Sequence, residues 1–142
     1  AVTVAAAEIP GPLRLAGHSA GGHLAARMGA VLDPDVATRL AHILPISPLA
    51  DLRPLMQTSM NADLRIDEAE ARAESPIYTP PPACPVTVWV GSDERPAFLD
   101  QARKLSKVWQ CGLVEDAGKH HFDVIDALAD RDSAMVARLL SD

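Results

Sequence analysis

Residues 17–25 read GHSAGGHLA, in which Gly17, Ser19 and Gly21 form a Gly-x-Ser-x-Gly pattern. In this pattern the serine occupies a sharp turn between a strand and a helix, and small neighbours let the two elements approach each other. The hydroxyl then points outward at the carboxyl end of a sheet. The N–H of the next residue, Ala20, lies at the helix N-terminus and can donate to an oxyanion. The pattern therefore predicts that Ser19 is a nucleophile.

A serine nucleophile needs a base, and the base needs a carboxylate that orients it. Where this turn occurs, the three residues follow in the order serine, acid, histidine. The strongest strand pattern is VTVWV (86–90), which leads directly to Asp93 and Glu94. The segment AGKHHF then offers His120 and His121 in a later loop. The order along the chain predicts a Ser-His-acid triad, with both acids and both histidines open as candidates.

The elements around these residues alternate between strands and helices. Four short apolar runs predict strands, at residues 13–17, 42–47, 86–90 and 112–116. Four helical patterns lie between or beside them, at residues 1–9, 20–31, 95–109 and 122–140, the last with a break near 130–132. A helical excursion at about 48–76 lies on the surface, and its clearer helix is at 67–74. This alternation predicts an α/β fold with a mostly parallel sheet and helices on both faces.

Composition narrows the class of protein. The 142 residues suffice for a single domain, and the 48% hydrophobic content predicts a packed core. A net charge of −6 without a basic patch argues against a nucleic-acid partner. Without a signal peptide or a membrane-spanning run, we expect a cytoplasmic protein with no membrane partner. Cys84 and Cys111 lack metal-ligand spacing, so we expect no metal and two buried free thiols.

Several residues near the serine have candidate binding or structural roles. His18, inside the turn, is expected to wall the substrate pocket or to pack beside it. His23 is expected to pack beneath the turn, and His42 to be structural in its strand. Within the helical excursion, residues 51–66 are expected to wall the pocket, with Met56 and Met60 as apolar contacts to substrate. The candidate substrate-binding residues are therefore His18, Met56 and Met60.

The stretch GHSAGGHLAARM resembles the α/β-hydrolase fold carboxylesterases related to hormone-sensitive lipase. Later segments resemble the kynurenine formamidase (arylformamidase) branch, and they occur in the family's order. These segments are ISPLADLRPLMQTSMNADLRI, Ser75–Pro76, VGSDERPAFLDQA and HHFDVIDAL. The resemblance covers nearly the whole chain. It implies an α/β-hydrolase fold and a serine hydrolase that needs no cofactor and acts on a small ester or an N-formyl-aryl amide.

Residue by residue, the resemblance implies Ser19 as nucleophile and His121, rather than His120, as base. In the formamidases we expect V-G-x-x-D followed by S-P-E-F. A gapless placement puts Glu94 at the acid position, whereas Asp93 needs a shift of one residue. Three further residues then fall in register: Pro96, Phe98 and Gln101. The register favours Glu94 and keeps Asp93 as the alternative acid.

One part of the family pattern has no counterpart in the sequence. The formamidases carry an HGG-type oxyanion loop and the first strands of the sheet before the serine turn. Residues 1–142 therefore resemble the C-terminal half of a hydrolase, a single and partial domain. The missing strands would leave the strand at 13–17 as an apolar edge, a hazard for association. We therefore expect either a missing N-terminal half or a homodimer.

Two other functions compete with acyl transfer to water. A catalytically silent binding module on the same fold is favoured by the incomplete oxyanion hole, because one lost donor typically slows such enzymes by about 10²–10³. A metal-dependent hydrolase is the weakest hypothesis, since His120, His121 and scattered acids lack recognisable ligand spacing.

Overall fold

The structure is a computed structural model that describes residues 1–141. One parallel sheet lies at its centre, with the strands in their order along the chain. The strands are β1 (Leu13–His18), β2 (Leu40–Ile46), β3 (Thr87–Gly91) and β4 (Gly112–Asp116). All four strand predictions are confirmed, with bounds that differ by no more than two residues.

The described residues include seven α-helices and three short 3₁₀ helices. The α-helices are α1 (Val2–Glu8), α2 (Ala20–Val31), α3 (Pro34–Ala37), α4 (Asn61–Leu64), α5 (Glu68–Glu74), α6 (Pro96–Trp109) and α7 (Ala134–Leu140). The 3₁₀ helices are Arg53–Gln57, Pro76–Tyr78 and Asp126–Ala129. The prediction of α2 is confirmed to the residue, and that of α6 to within one residue.

The predicted helix at 122–140 is wrong over its first part. Turns and the 3₁₀ helix Asp126–Ala129 come first, and α7 begins at Ala134. The Ser133 side chain accepts a hydrogen bond from the Val136 N–H, which starts a new helix at this point. The break near 130–132 is therefore confirmed, and it separates two helices of different type.

Helices cover both faces of the sheet, as predicted for parallel strands. Val88 and Val90 of β3 point into one hydrophobic cluster, which α2 and α6 complete. Trp89, between them, points into a second cluster on the opposite face, together with Met135 of α7. Alternate residues of a strand face opposite sides, so a strand that is apolar on both sides must be covered on both sides.

β1 and β4 are the edge strands of the described sheet. Beside β1 lies an apolar hollow whose lining includes Leu15, Leu24 and Met28. Leu24 on α2 is more than half exposed. The expected homodimer, or the expected N-terminal half, would cover the β1 edge of the sheet. Both stay predictions.

Cys84 and Cys111 are free and half-buried, and burial raises the pKa of both thiols. Within residues 1–141, no cluster of three or more histidine, cysteine or acidic side chains is arranged to hold a metal ion. No helix in the same range has the length and apolar character needed to cross a bilayer. A cytoplasmic location stays a prediction.

Candidate active site

Ser19 occupies the turn between the end of β1 and the start of α2, as predicted. Its backbone has φ 56° and ψ −115°, outside the regions that most residues adopt. The Ser19 N–H donates to the Ile46 carbonyl at 2.9 Å, and the Ser19 carbonyl accepts from the His23 N–H at 3.0 Å. Such strain persists where neighbouring structure holds the residue in place, and it is common at functional sites. The turn places the serine at the carboxyl end of the sheet.

The turn needs small residues, but not at both predicted positions. A Cβ on Gly17 would lie 2.0 Å from the Gly21 carbonyl oxygen, so the strand and helix meet there without room for a side chain. A Cβ on Gly21 would meet no atom of the described residues within 4 Å, which corrects the prediction for this position. The second crowded glycine is Gly22, where a Cβ would lie 2.8 Å from the Ile46 carbonyl oxygen.

Ser19, His121 and Glu94 form a chain of hydrogen bonds. His121 Nε2 lies 3.2 Å from Ser19 Oγ, and His121 Nδ1 lies 2.6 Å from Glu94 Oε2. A carboxylate accepts hydrogen bonds, so His121 donates through Nδ1 and presents the lone pair of Nε2 to the serine. The Glu94 side chain is fully buried, and that of His121 is 17% exposed. This is the geometry required of a nucleophile, a base and the acid that orients the base.

Of the two candidate acids, Glu94 is the one that contacts His121. Asp93 is exposed, and its carboxylate accepts a hydrogen bond from the Ser92 hydroxyl at 2.9 Å. The two candidate histidines, His120 and His121, also differ in their contacts. His120 Nδ1 accepts the backbone N–H groups of Phe122 and Asp123, so this ring is used to shape its own turn.

Ser47 belongs to this candidate site, and the sequence analysis did not predict it. Its hydroxyl donates to Glu94 Oε1, which also accepts the Gly91 N–H at 3.0 Å. Ser47 is buried, directly follows β2 and has a φ of 47°. With His121 on the other oxygen, these donors fix the Glu94 carboxylate in one position. The available signal was a polar residue directly after a central strand, at the same sheet edge as Ser19.

Three rings contact His121, and one of them, the exposed Phe122, meets it edge-on at 5.4 Å between centroids. Phe98 of α6 stacks on His121, with a centroid distance of 4.0 Å and an interplanar angle of 26°. Phe98 therefore packs both at the edge of the core, as predicted, and against the candidate base. His18 lies on His121 at 4.5 Å between centroids. Burial, together with the nearby His121, lowers the pKa of His18, and its buried Nε2 has no hydrogen-bond partner among residues 1–141.

A cavity of about 680 Å³ opens beside Ser19. Its wall includes Ser19, Ala20, His23, Leu49, Leu52, Pro54, Leu55, Thr58, Met60, Leu64, Ile66, Arg95, Ala97, Phe98 and Gln101. The helical excursion supplies one side of it, as expected, and apolar side chains predominate. His18 does not line the cavity. It was expected either to wall the pocket or to pack beside it, and the structure supports packing.

Met60 lines this cavity, but Met56 does not, which corrects the prediction for Met56. Met56 lines a separate hollow beside Arg53 and Lys104. Its neighbour Leu55 faces the cavity, and successive side chains of a 3₁₀ helix point in different directions. Ala20 also lines the cavity as the first residue of α2, and the first N–H groups of a helix have no partner within the helix.

Several solved structures are similar to the structure of this chain. A candidate thioesterase from Silicibacter sp. TM1040 is 52% identical, with a TM-score of 0.96, over 99% of this chain and 55% of that protein. The chain has the α/β-hydrolase fold. A carboxylesterase from Lactobacillus plantarum WCFS1 shares that fold at a TM-score of 0.57 and 23% identity, over 78% of this chain and 46% of the esterase.

Curated relatives confirm the resemblance to the kynurenine formamidases. The kynurenine formamidase of Danio rerio is 30% identical over 141 residues, and that of Salmo salar is 31% identical over 145 residues. Each match covers 90% of this chain and 48% of the relative. The chain thus spans about half the length of these α/β-hydrolase relatives, which fits the predicted resemblance to half of such a protein. No profile of a known protein family matches the chain.

Proposed function

We propose that the chain carries the catalytic residues of a serine hydrolase, which cleaves a small ester or an N-formyl-aryl amide through an acyl-enzyme. The observation that carries this proposal is the hydrogen-bonded chain from Ser19 through His121 to Glu94. Its setting adds support, because Ser19 lies in a strained turn beside an apolar cavity. Glu94 is the proposed acid, and Asp93 is set aside because it makes no contact with His121.

In the proposed mechanism Ser19 Oγ attacks the carbonyl carbon of the substrate, while His121 Nε2 takes the hydroxyl proton. The Ala20 N–H donates to the oxyanion that forms, and buried Glu94 stabilises the resulting imidazolium. His121 then gives the proton to the leaving group, whose bond to the carbonyl carbon breaks. A water molecule, activated by the same histidine, attacks the acyl-serine and releases the acid.

The relatives support hydrolysis at a carbonyl carbon, but they do not indicate whether the cleaved bond belongs to an ester, a thioester or an amide. Their names include kynurenine formamidase, carboxylesterase and candidate thioesterase, which differ in leaving group. The apolar wall of the cavity suits an aryl or alkyl group of the substrate. Turnover of N-formylkynurenine compared with p-nitrophenyl acetate tests the finer proposal. Cleavage of the ester without cleavage of the formamide would contradict a formamidase.

Ser19→Ala tests the site itself. We expect the wild-type chain to react with a fluorescent fluorophosphonate and to hydrolyse p-nitrophenyl acetate, and the variant to do neither. Ser92→Ala is a matched control, because Ser92 is a loop serine that does not contact His121. Labelling of folded wild-type protein at a residue other than Ser19 would refute the assignment. No labelling at all would support a silent binding module instead.

A further inference from the structure

The cavity beside Ser19 has one permanently charged side chain in its described wall, that of Arg95. No acidic residue among residues 1–141 lines it. Arg95 directly precedes α6, and within the described chain its guanidinium makes no hydrogen bond or ion pair. A cation therefore lies in the wall of a mostly apolar cavity, and no carboxylate of residues 1–141 lines that wall to balance it.

The other polar side chains of the wall already have partners within the protein. The Thr58 hydroxyl donates to the Leu55 carbonyl at 2.7 Å, and His23 Nε2 lies 2.8 Å from the Glu74 carbonyl oxygen. The Gln101 amide is held by backbone groups of residues 50 and 51 on both its oxygen and its nitrogen. Ser19 is bonded to His121, so Arg95 is the polar wall residue whose side chain has no hydrogen-bond partner within the described chain.

The lack of a partner for Arg95 contrasts with its surroundings. The chain has a net charge of −6, and five of its other arginines pair with carboxylates, as in Arg27–Glu74 and Arg103–Glu115. The two acids directly before Arg95 do not pair with it. The Asp93 carboxylate accepts from Ser92, and that of Glu94 is buried against His121.

We propose that Arg95 binds a carboxylate of the substrate, so that this site prefers substrates with an apolar body and one anionic group. This inference rests on the proposed hydrolase function and specifies its substrate class. A guanidinium can bind a carboxylate through two parallel hydrogen bonds, and few competing groups lie in the wall. Because Arg95 is exposed to solvent, we expect an effect at the lower end of the range for charged hydrogen bonds, about tenfold.

Two esters of equal chain length test the proposal on the full chain. Mono-4-nitrophenyl adipate carries a terminal carboxylate, and 4-nitrophenyl hexanoate carries a methyl group in its place. We expect Arg95→Gln to lower the ratio of their kcat/KM values, adipate to hexanoate, about tenfold, mainly through KM for the adipate. Arg95→Lys should restore part of the ratio, and added salt should lower it in the wild type because exposed charges are screened.

Arg65→Gln is the matched control. It also removes one positive charge, and Arg65 lies between the cavity residues Leu64 and Ile66 in the chain but does not itself line the cavity. A ratio unchanged by Arg95→Gln, or lowered equally by Arg65→Gln, would overturn the proposal.

A second measurement does not require turnover. Monomethyl adipate should bind folded Ser19→Ala protein in calorimetry, and about tenfold more weakly when Arg95→Gln is added. Absence of binding, or equal binding, would overturn the proposal, whereas failure of wild-type turnover alone would refute only the hydrolase function.

Discussion

Replacing Glu94 with glutamine separates the charge of this side chain from its shape. Glutamine can keep its oxygen on the donors from Ser47 and Gly91, while its NH₂ group replaces the carboxylate oxygen 2.6 Å from His121 Nδ1. An NH₂ group donates, so Nδ1 must become the acceptor. The proton of the neutral ring then lies on Nε2 and faces Ser19. In this tautomer His121 cannot take the serine proton.

The expected magnitude follows from these contacts. In a serine protease triad, the equivalent acid-to-amide change lowers kcat by about 10⁴ because it imposes the wrong tautomer. We expect a loss of about 10³–10⁴ in kcat for Glu94→Gln with p-nitrophenyl acetate. Because glutamine can replace every hydrogen bond, unfolding in urea should change by less than about 2 kcal/mol. The loss would then belong to the chemistry rather than to folding.

Asp93→Asn is the matched control, since Asp93 is exposed and bonded to Ser92. We expect its kcat to stay within about twofold of the wild type, as for a surface residue away from the site. Two results would refute the reasoning. One is a folded Glu94→Gln variant that keeps more than a tenth of the wild-type kcat. The other is a larger loss in Asp93→Asn than in Glu94→Gln, which would make Asp93 the acid.

Two further predictions concern stability. Gly17→Ala should destabilise the fold by about 3 kcal/mol in urea unfolding, because its Cβ would lie 2.0 Å from backbone oxygen, whereas Gly21→Ala should change stability by no more than about 1 kcal/mol. Equal losses in the two variants would contradict the crowding argument. The other prediction concerns His42, whose pKa is lowered by burial and, in addition, by nearby arginines. The histidine therefore takes up a proton more readily in the unfolded chain than in the folded one. The free energy of unfolding should decrease as the pH falls through about 6.5, the ordinary pKa of histidine. His42→Gln should therefore flatten the fall in unfolding free energy between pH 7.5 and 5, by at most about 1.4 kcal/mol per pH unit, and identical slopes would refute this.

The sequence by itself determined the parts of the protein that depend on local patterns. The β-branched run at 86–90 and the apolar run at 13–17 predicted strands, and the glycines around Ser19 predicted the strained turn. These predictions succeed because alternation, apolar runs and backbone sterics act over a few neighbouring residues. The order of serine, acid and histidine along the chain also named three regions whose side chains meet in the structure.

Tertiary structure alone decided which side chains meet. Asp93 and Glu94 are adjacent, and their turn is oriented by backbone bonds to the distant segment at residues 116–119. Ser47 reaches Glu94 because β2 lies next to β3 in the sheet, a neighbour that no local pattern reveals. Met60 lines the cavity while Met56 does not, since that depends on how the excursion packs. Such choices depend on contacts between residues far apart in the chain, which set the direction of each side chain.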